Sequence, residues 1–168
     1  KNLLIFDNEK PSFKRKVDYF NISKYPITEY QYLQFVKSQG YEKEIYWCNN
    51  GYKWKNKNKI ELPLYWIKEN GNYFKYIGGI KCSLETNLPI MNISYYEAMA
   101  YCKWANVRLP YEYEYEYVAT NGGTTKYPWG NTNENMKKYC NLNYNTFIVP
   151  VDKYVDLAKK YNALTYLD

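Results

Sequence analysis

The segment RLPYEYEYEYV, residues 108–118, alternates Tyr with Glu, and its conformation constrains the fold more than any other stretch of the chain. A period of two is typical of a β-strand, whose successive side chains point to opposite faces. Tyr favours strands, whereas Glu is a good helix former. The alternation alone therefore leaves strand and helix open for this segment.

A helix start is indicated by TEYQ, which places Thr28 three residues before Gln31. This spacing matches a capping box, in which a hydroxyl and an amide side chain satisfy free backbone donors of the first helical turn. Apolar side chains such as Phe35 follow at helical spacing, and Gly40 suits the end of a helix. The pattern predicts a helix over 29–39.

A second capping box is indicated by SYYE, with Ser94 three residues before Glu97. Apolar and aromatic side chains, among them Tyr101 with Trp104 beside it, then form one stripe of a helix. Pro110 cannot continue that helix. The two capping boxes thus predict two main helices.

The rest of the chain predicts short strands and irregular loops. The β-rich segment 17–27 is interpreted as a strand ending at Pro26, and 2–7 as another short strand. The stretch 41–88 is interpreted as loop-rich, with a hairpin turn at ENGN, residues 69–72. No repeat and no second core is evident, so one domain is expected.

Composition and charge exclude several functions within these 168 residues. No His occurs, and the four Cys form no C-x-x-C pair, so zinc, His-ligated iron or copper, and Cys–His or Ser–His catalysis have no ligand or base here. The Cys residues are interpreted as reduced and mostly buried, with the three possible disulfide pairings as the alternative.

The net charge of +6 comes mostly from Lys, which clusters with Asn over 53–60. We interpret this cluster as a solvated loop rather than a nucleic-acid site, because Arg, which makes most specific phosphate and base contacts, occurs only as Arg15 and Arg108. No apolar run approaches the roughly 20 residues that cross a bilayer. The sequence therefore predicts no nucleic-acid or membrane partner and a cytoplasmic location.

Several stretches, in order along the chain, resemble the formylglycine-generating enzyme, or sulfatase-modifying factor, domain. They are FNISKYPITEYQYLQFV, then LPIMNISYYEAMAYCKWANVRLPYEYEYEYVATNGG, and then YPWGN, whose Trp129 and Gly130 match the family's Pro-Trp-Gly turn. The resemblance implies an α+β, C-type-lectin-like fold with two main helices, short antiparallel strands and much irregular loop.

A further stretch, GYEKEIYWCNNGYKWKNKNKIELPLYW, is similar to the aromatic segment of the lectin-like domain of ergothioneine and ovothiol sulfoxide synthases. That branch is favoured over generic sulfatase-modifying factor relatives.

The resemblance also resolves the alternating segment. In the family, the residues after Arg-Leu-Pro form a helix, which predicts a helix over 111–119 with Tyr111 at the N-cap. Arg108 is then expected to pair with Glu112 across a tight turn. Glu112 and Glu116 would be a like-charge pair one turn apart.

The family's chemistry is oxidation, and the resemblance places it outside this chain. Formylglycine-generating enzymes use a late pair of cysteines to bind copper, and the sulfoxide synthases use a three-His iron site from a separate helical domain. YNALTYLD resembles the segment just before the family's Trp-Glu-Trp motif. We therefore expect a leader over 1–16 and the first part of the domain over 17–168, with no catalytic residue and with iron or copper only if the missing parts are present.

Calcium is the one cofactor that the resemblance places here. Asn141 and Leu142 match a family position at which an Asn and the next backbone carbonyl help bind Ca²⁺, and oxygen ligands suit that ion. The site would be partial, because the following Asp-containing loop of the family is absent.

Two functions stay open at this point. One is the substrate-positioning part of a protein that acts on a small-molecule thiol, an amino acid or a peptide, with the missing domain half as a further partner. The other is a noncatalytic, C-type-lectin-like binding module whose aromatic loops hold a ligand or a protein. Whether the protein is an enzyme is left uncertain by the sequence.

Overall fold

The computed structural model describes residues 11, 14–132, 134, 136–141 and 148–154. Within them, helices and a small antiparallel sheet make an α+β fold, as the sequence predicts. The helices are α1 (Glu29–Lys37), α2 (Asn49–Asn58), α3 (Tyr95–Trp104) and α4 (Glu112–Ala119), and the strands are β1 (Trp66–Glu69), β2 (Asn72–Ile77) and β3 (Ile80–Ser83). Short 3₁₀ turns lie at Glu44–Tyr46 and Met136–Lys138. Among the helices described, none has the length and apolar character needed to cross a membrane.

Helices α1 and α3 begin with reciprocal capping boxes. Thr28 Oγ1 accepts a hydrogen bond from the Gln31 amide at 3.2 Å, and Gln31 Oε1 accepts one from the Thr28 amide at 2.9 Å. Ser94 Oγ accepts from the Glu97 amide at 3.2 Å, and Glu97 Oε2 accepts from the Ser94 amide at 2.8 Å. Both helix starts are therefore fixed by local side chains.

The alternating Tyr–Glu segment is a helix, so the prediction for 111–119 is confirmed. The Tyr115 amide donates to the Tyr111 carbonyl at 3.0 Å, and the Thr120 amide donates to the Glu116 carbonyl at 2.9 Å. Side chains four residues apart, such as Tyr113 and Tyr117, consequently share one side of the helix.

The two main helices and the helix after Arg-Leu-Pro are all present, and the described residues add a further helix, α2, where the sequence indicated loop within 41–88. Cys48 caps α2 with its thiol, whose Sγ accepts a hydrogen bond from the Gly51 amide at 3.3 Å. Gly51 is buried beside Tyr96, where an added Cβ would lie 3.1 Å from the ring. The contact holds α2 against α3. It stabilises a helix whose sequence is rich in Asn and Lys and has no apolar stripe of its own.

The sheet is a meander in the order β1-β2-β3, with both pairs antiparallel. Asn70 and Gly71 join β1 to β2 at φ values of 48° and 79°, which is the signature of a tight two-residue hairpin turn. The hairpin turn expected at 69–72 is confirmed. In the three strands, Trp66 and Lys75 are the buried side chains.

The strand expected over 17–27 is wrong, because residues 14–27 form no strand. The Ile90 amide donates to the Ile27 carbonyl, and a single bridge joins Thr28 to Pro89. The β-rich segment therefore pairs with residues 89 and 90 only at its end, and this short pairing does not make a strand. The strand expected over 2–7 lies outside the described residues.

An aromatic cluster forms the core between α1, α3 and the sheet. Tyr32 stacks on Tyr101 with ring centroids 5.3 Å apart, and its edge meets Trp66 at 6.3 Å. Phe35 lies 5.8 Å from Trp104. Phe35, Tyr101 and Trp104 therefore face a core, as the helical spacing predicts.

The helices end in a common way, with a left-handed residue that is not Gly. In α1 this residue is Gln39, with φ of 65°, rather than the expected Gly40. The Gly40 amide donates to the Phe35 carbonyl at 2.9 Å, which closes a Schellman motif. Gly40 is required for a different reason, since an added Cβ would lie 2.2 Å from the Phe35 ring.

Candidate functional site

Arg108 and Glu114 form a two-point ion pair at the start of α4. Arg108 Nη1 and Nη2 donate to the two carboxylate oxygens of Glu114 at 2.7 and 2.6 Å. One of these oxygens also accepts the Tyr111 amide at 2.8 Å. The ion pair lowers the pKa of Glu114 to about 2, although burial acts in the opposite direction, and the same hydrogen bond raises the pKa of Arg108. The carboxylate is therefore charged at neutral pH.

The prediction that Arg108 pairs with Glu112 is wrong, because its partner is Glu114, about half a helical turn further along α4. Glu112 is the first residue of α4 and is exposed, whereas Glu114 is its third residue and is buried. A side chain at the third helical position can fold back over the N-cap, and this brings its carboxylate to Arg108. The spacing of Tyr111 and Glu114 repeats that of the two capping boxes, and this signal could have identified Glu114 from the sequence.

Both arginines of the chain stack on one pair of tyrosines beside this ion pair. The Tyr111 and Tyr113 rings are stacked with centroids 5.3 Å apart and planes 10° apart. The guanidinium carbon of Arg15 lies 3.7 Å from the Tyr113 centroid, and that of Arg108 lies 4.7 Å from the Tyr111 centroid. We call this group the arginine–tyrosine stack. It attaches the connector before α1 to α4 through cation–π contacts.

A buried polar network joins α1 to α3. The Tyr41 hydroxyl donates to Glu97 Oε1 at 2.6 Å, and the Tyr32 and Tyr41 hydroxyl oxygens are 3.2 Å apart. Burial raises the pKa of both phenols, so they stay protonated. Both oxygens of Glu97 are thus held by donors, one from Tyr41 and one from the Ser94 backbone. This arrangement favours a structural role, and no pattern in the sequence identified Tyr41.

A second buried carboxylate, Glu29, pairs with Lys75 across to the sheet. Lys75 Nζ lies 2.5 Å from Glu29 Oε1, and the Glu85 amide donates to Glu29 Oε2 at 2.8 Å. Both side chains of the ion pair are nearly inaccessible to solvent. With its second oxygen satisfied, the pair positions β2 and the loop before α3 relative to α1.

The YPWGN turn forms an aromatic stack. Tyr127 and Gly130 exchange backbone hydrogen bonds, and Gly130 has φ of 130°. The Trp129 ring lies parallel to Tyr127 at 5.2 Å and to Tyr139 at 5.3 Å, and its Nε1 donates to the Thr132 carbonyl at 3.1 Å. Trp129 and Gly130 therefore lie together in one ordered turn.

Iron and copper do not fit the residues present. The sequence has no His, and the part of the chain that the structure describes has no group of three or more His, Cys, Asp or Glu side chains placed to hold a metal ion. All four cysteines are free. Cys102 and Cys140 are half-buried, and burial raises the pKa of both thiols.

Calcium stays a prediction. Asn141 is exposed and follows the 3₁₀ turn, whereas Leu142 lies outside the described residues.

A comparison with known protein families decides the family. The model described as "Sulfatase-modifying factor enzyme 1-like domain" matches residues 1–164. The chain belongs to this family. The resemblance seen in the sequence is thereby confirmed, and the α+β architecture agrees with it.

Relatives of this sulfatase-modifying factor domain come from both branches that the sequence indicated. The chain is 31% identical over 140 residues to a hercynine oxygenase of Mycobacterium tuberculosis, which covers 81% of this chain and 32% of the relative. It is 30% identical over 161 residues to a formylglycine-generating enzyme of Thermomonospora curvata, and the match covers 85% of this chain and 52% of the relative. It is 29% identical over 138 residues to the formylglycine-generating enzyme of Mus musculus, and the match covers 74% of this chain and 37% of the relative. The chain thus spans between a third and a half of the length of these relatives.

Proposed function

We propose that this chain is the substrate-positioning part of a protein like the hercynine oxygenases or formylglycine-generating enzymes, and that it is not catalytic on its own. The observation that carries the proposal is the family match over 1–164 in a sequence that has no His. The sulfur oxidation that the family resemblance implies needs a metal, and its ligands would come from other residues of the protein.

The structure supports a positioning role through the rigidity of its helices. Buried pairs fix α1 to the sheet and to α3, and capping contacts fix the first turn of each described helix. A binding surface built on such elements keeps its geometry better than one built on free loops. The proposed substrate is a small-molecule thiol, an amino-acid derivative or a peptide, and the rest of the protein is the proposed partner.

The test is to incubate the purified chain aerobically with Fe²⁺, and separately with Cu⁺. The substrates are hercynine with a thiol in one arm and a cysteine-containing peptide in the other. We expect oxygen consumption and oxidised product no higher than in a protein-free control, because free Fe²⁺ and Cu⁺ themselves react with oxygen and thiols, and metal analysis after desalting should find far less than one iron per chain. One tightly held iron per chain, or turnover, would contradict the proposal.

Two further features belong to this proposal and have separate tests. A calcium ion at Asn141 and Leu142 should give a saturable calorimetric titration that Asn141→Ala abolishes. A cytoplasmic location should appear as cytosolic fluorescence of a tagged full reading frame.

A second candidate is a noncatalytic binding module. It is favoured by 28% identity over 138 residues to the "Inactive C-alpha-formylglycine-generating enzyme 2" of Bos taurus, covering 74% of this chain and 46% of that protein. Production of the chain within its full natural reading frame separates the candidates. Metal-dependent oxidation by that longer protein supports the positioning role, whereas ligand binding without oxidation supports the binding module.

A further inference from the structure

Helix α4 presents a face of alternating aromatic and acidic side chains to solvent. Tyr111 is 55% exposed and Tyr115 is 63% exposed, and Glu112 and Glu116 beside them are exposed too. Because residues four apart lie one above the other on a helix, the two tyrosines form one column and the two glutamates form the next. We call these four residues the α4 outer face.

The two glutamates of this face have no cation of their own. Neither Glu112 nor Glu116 makes an ion pair among the residues that the structure describes. Like charges one turn apart destabilise a helix. A cation that bridged the two carboxylates would remove this repulsion.

The same helix already shows how it binds cations. At its N-terminal end, Arg108 lies over the Tyr111 ring and makes a two-point contact with Glu114, and Arg15 lies over the Tyr113 ring. Each contact pairs a planar guanidinium with a tyrosine face, and one adds a carboxylate. The outer face repeats these residue types at Tyr115, Glu112 and Glu116.

We propose that the α4 outer face docks an arginine-rich segment of a partner protein. One guanidinium stacks on the Tyr115 ring, and its fork bonds Glu112 or Glu116. Alternate residues of an extended segment are about 6.6 Å apart, which approximates the spacing of side chains one helical turn apart, so a second arginine reaches the other carboxylate.

A second copy of this chain fits the face less well. Its two arginines are Arg15 and Arg108, and both are already engaged in the arginine–tyrosine stack. Its many lysines lack the planar fork that bonds a carboxylate at two points. The charge and the geometry of the face therefore favour an arginine-rich partner.

The test measures binding of a fluorescent peptide that alternates Arg with Gly to the whole chain by anisotropy. Glu112→Gln with Glu116→Gln should weaken binding about ten-fold at low salt. Tyr115→Ala should weaken it about two- to five-fold, as expected for an exposed cation–π contact. A peptide with Lys in place of Arg should bind more weakly, and 0.5 M NaCl should weaken every complex because exposed charges are screened.

The matched control is Tyr95→Ala with Glu61→Gln, which removes an exposed tyrosine and an exposed glutamate elsewhere and should leave binding unchanged. Equal binding by the parent and the double Glu variant would overturn the proposal, as would an equal loss in the control. Sedimentation of the chain without peptide tests the other occupant. A dimer that the double Glu variant abolishes would assign the face to a second copy instead.

Discussion

Glu29, Glu97 and Glu114 are buried carboxylates, and each lies in the first turn of a helix. A helix start offers unpaired backbone amides and the positive end of the helix dipole, both of which stabilise a negative charge. Each carboxylate also takes a partner from outside its own turn, respectively Lys75, Tyr41 and Arg108. Burial of these charges is tolerable because every one of them has two kinds of donor.

Removal of the hydroxyl groups in the polar network should have unequal effects. Tyr41→Phe leaves Glu97 Oε1 buried without its donor, so we expect a loss of about 1–3 kcal/mol in the free energy of unfolding. Tyr32→Phe leaves the Tyr41–Glu97 bond intact and should lose only about 0.5–1.5 kcal/mol. Urea unfolding of both variants measures the difference, and an equal or larger loss in Tyr32→Phe would contradict it.

The Arg108–Glu114 pair should make stability fall in acid. The pKa of Glu114 is lowered from 4.5 to about 2 in the folded chain, so its stabilising effect is complete above pH 4.5 and is lost as pH falls towards 2. Glu114→Gln should therefore lower the melting temperature at pH 7, and the gap to the parent should shrink between pH 4.5 and 2. Glu61→Gln, at an exposed site, is the control and should show no such gap. A gap that stays constant with pH would refute this account.

The helices carry their own start and stop signals. The left-handed stop residues are Gln39, Lys59, Asn106 and Asn121, with φ between 52° and 65°. After each one, the next backbone amide donates to a carbonyl five residues earlier. Left-handed backbone strains a side chain such as Lys more than it strains Asn, so these ends are not equally favourable.

A glycine at the end of α2 should consequently stabilise the chain. Lys59→Gly relieves about 1–2 kcal/mol of left-handed backbone strain in the folded chain. Against this, Gly makes the unfolded chain more flexible, which costs about 0.4–1 kcal/mol. The net gain in the free energy of unfolding should be about 0.5 kcal/mol. Asn106→Gly should change stability little, because Asn is already accepted in this conformation. Shifts in the urea midpoint check both, and a lower midpoint for Lys59→Gly would count against the strain argument.

The sequence predicted those elements whose signals are local. Thr28 and Ser94 mark helix starts through side chains three residues away, and Asn70-Gly71 marks its turn through backbone preference. Helix α2 escaped prediction because it lacks an apolar stripe, begins at a Cys and depends on a tertiary contact between Gly51 and Tyr96. The strand expected over 17–27 did not form, although its residues prefer β structure, because no neighbouring segment of sufficient length pairs with it.

In the candidate site, the sequence predicted Arg108 as a partner for a carboxylate but named Glu112 instead of Glu114. The choice depends on how the chain turns at Tyr111, which the Tyr–Glu alternation does not reveal. Glu29–Lys75 and Tyr41–Glu97 join residues 46 and 56 positions apart, respectively. No local pattern encodes pairs at such separations, so only the folded structure could show them.

A small aromatic core and a few long-range polar contacts hold the described part of the chain together. The buried hydrophobic cluster in the described part of the chain contains Tyr32, Phe35, Val36, Tyr41, Trp47, Trp66, Ala100 and Tyr101. Further large side chains are only partly buried against this cluster, and several are exposed, including Tyr115 and Tyr117 on α4. Burial of each aromatic or aliphatic side chain contributes roughly 1.5–3 kcal/mol, so a core of this size leaves little surplus over chain entropy.

The isolated chain should therefore be marginally stable. We expect a free energy of unfolding in the lower part of the range of about 5–15 kcal/mol that is typical of domains. Urea unfolding of the 168-residue chain is the measurement. A cooperative transition in the upper part of that range would show that the aromatic cluster is sufficient by itself.

The self-contained helix ends also bear on the order in which the chain acquires its structure. Each Schellman motif spans six residues, and the three strands follow one another through two-residue turns, so these pieces need no distant partner to begin forming. Helical turns form within about a microsecond and hairpins within about ten. The slow event in refolding should then be closure of the 56-residue loop that brings Tyr41 to Glu97, because loop closure must precede the contacts that reward it. Because the helix ends form before that closure, they are already present at the folding barrier, so weakening them should slow refolding more than it speeds unfolding.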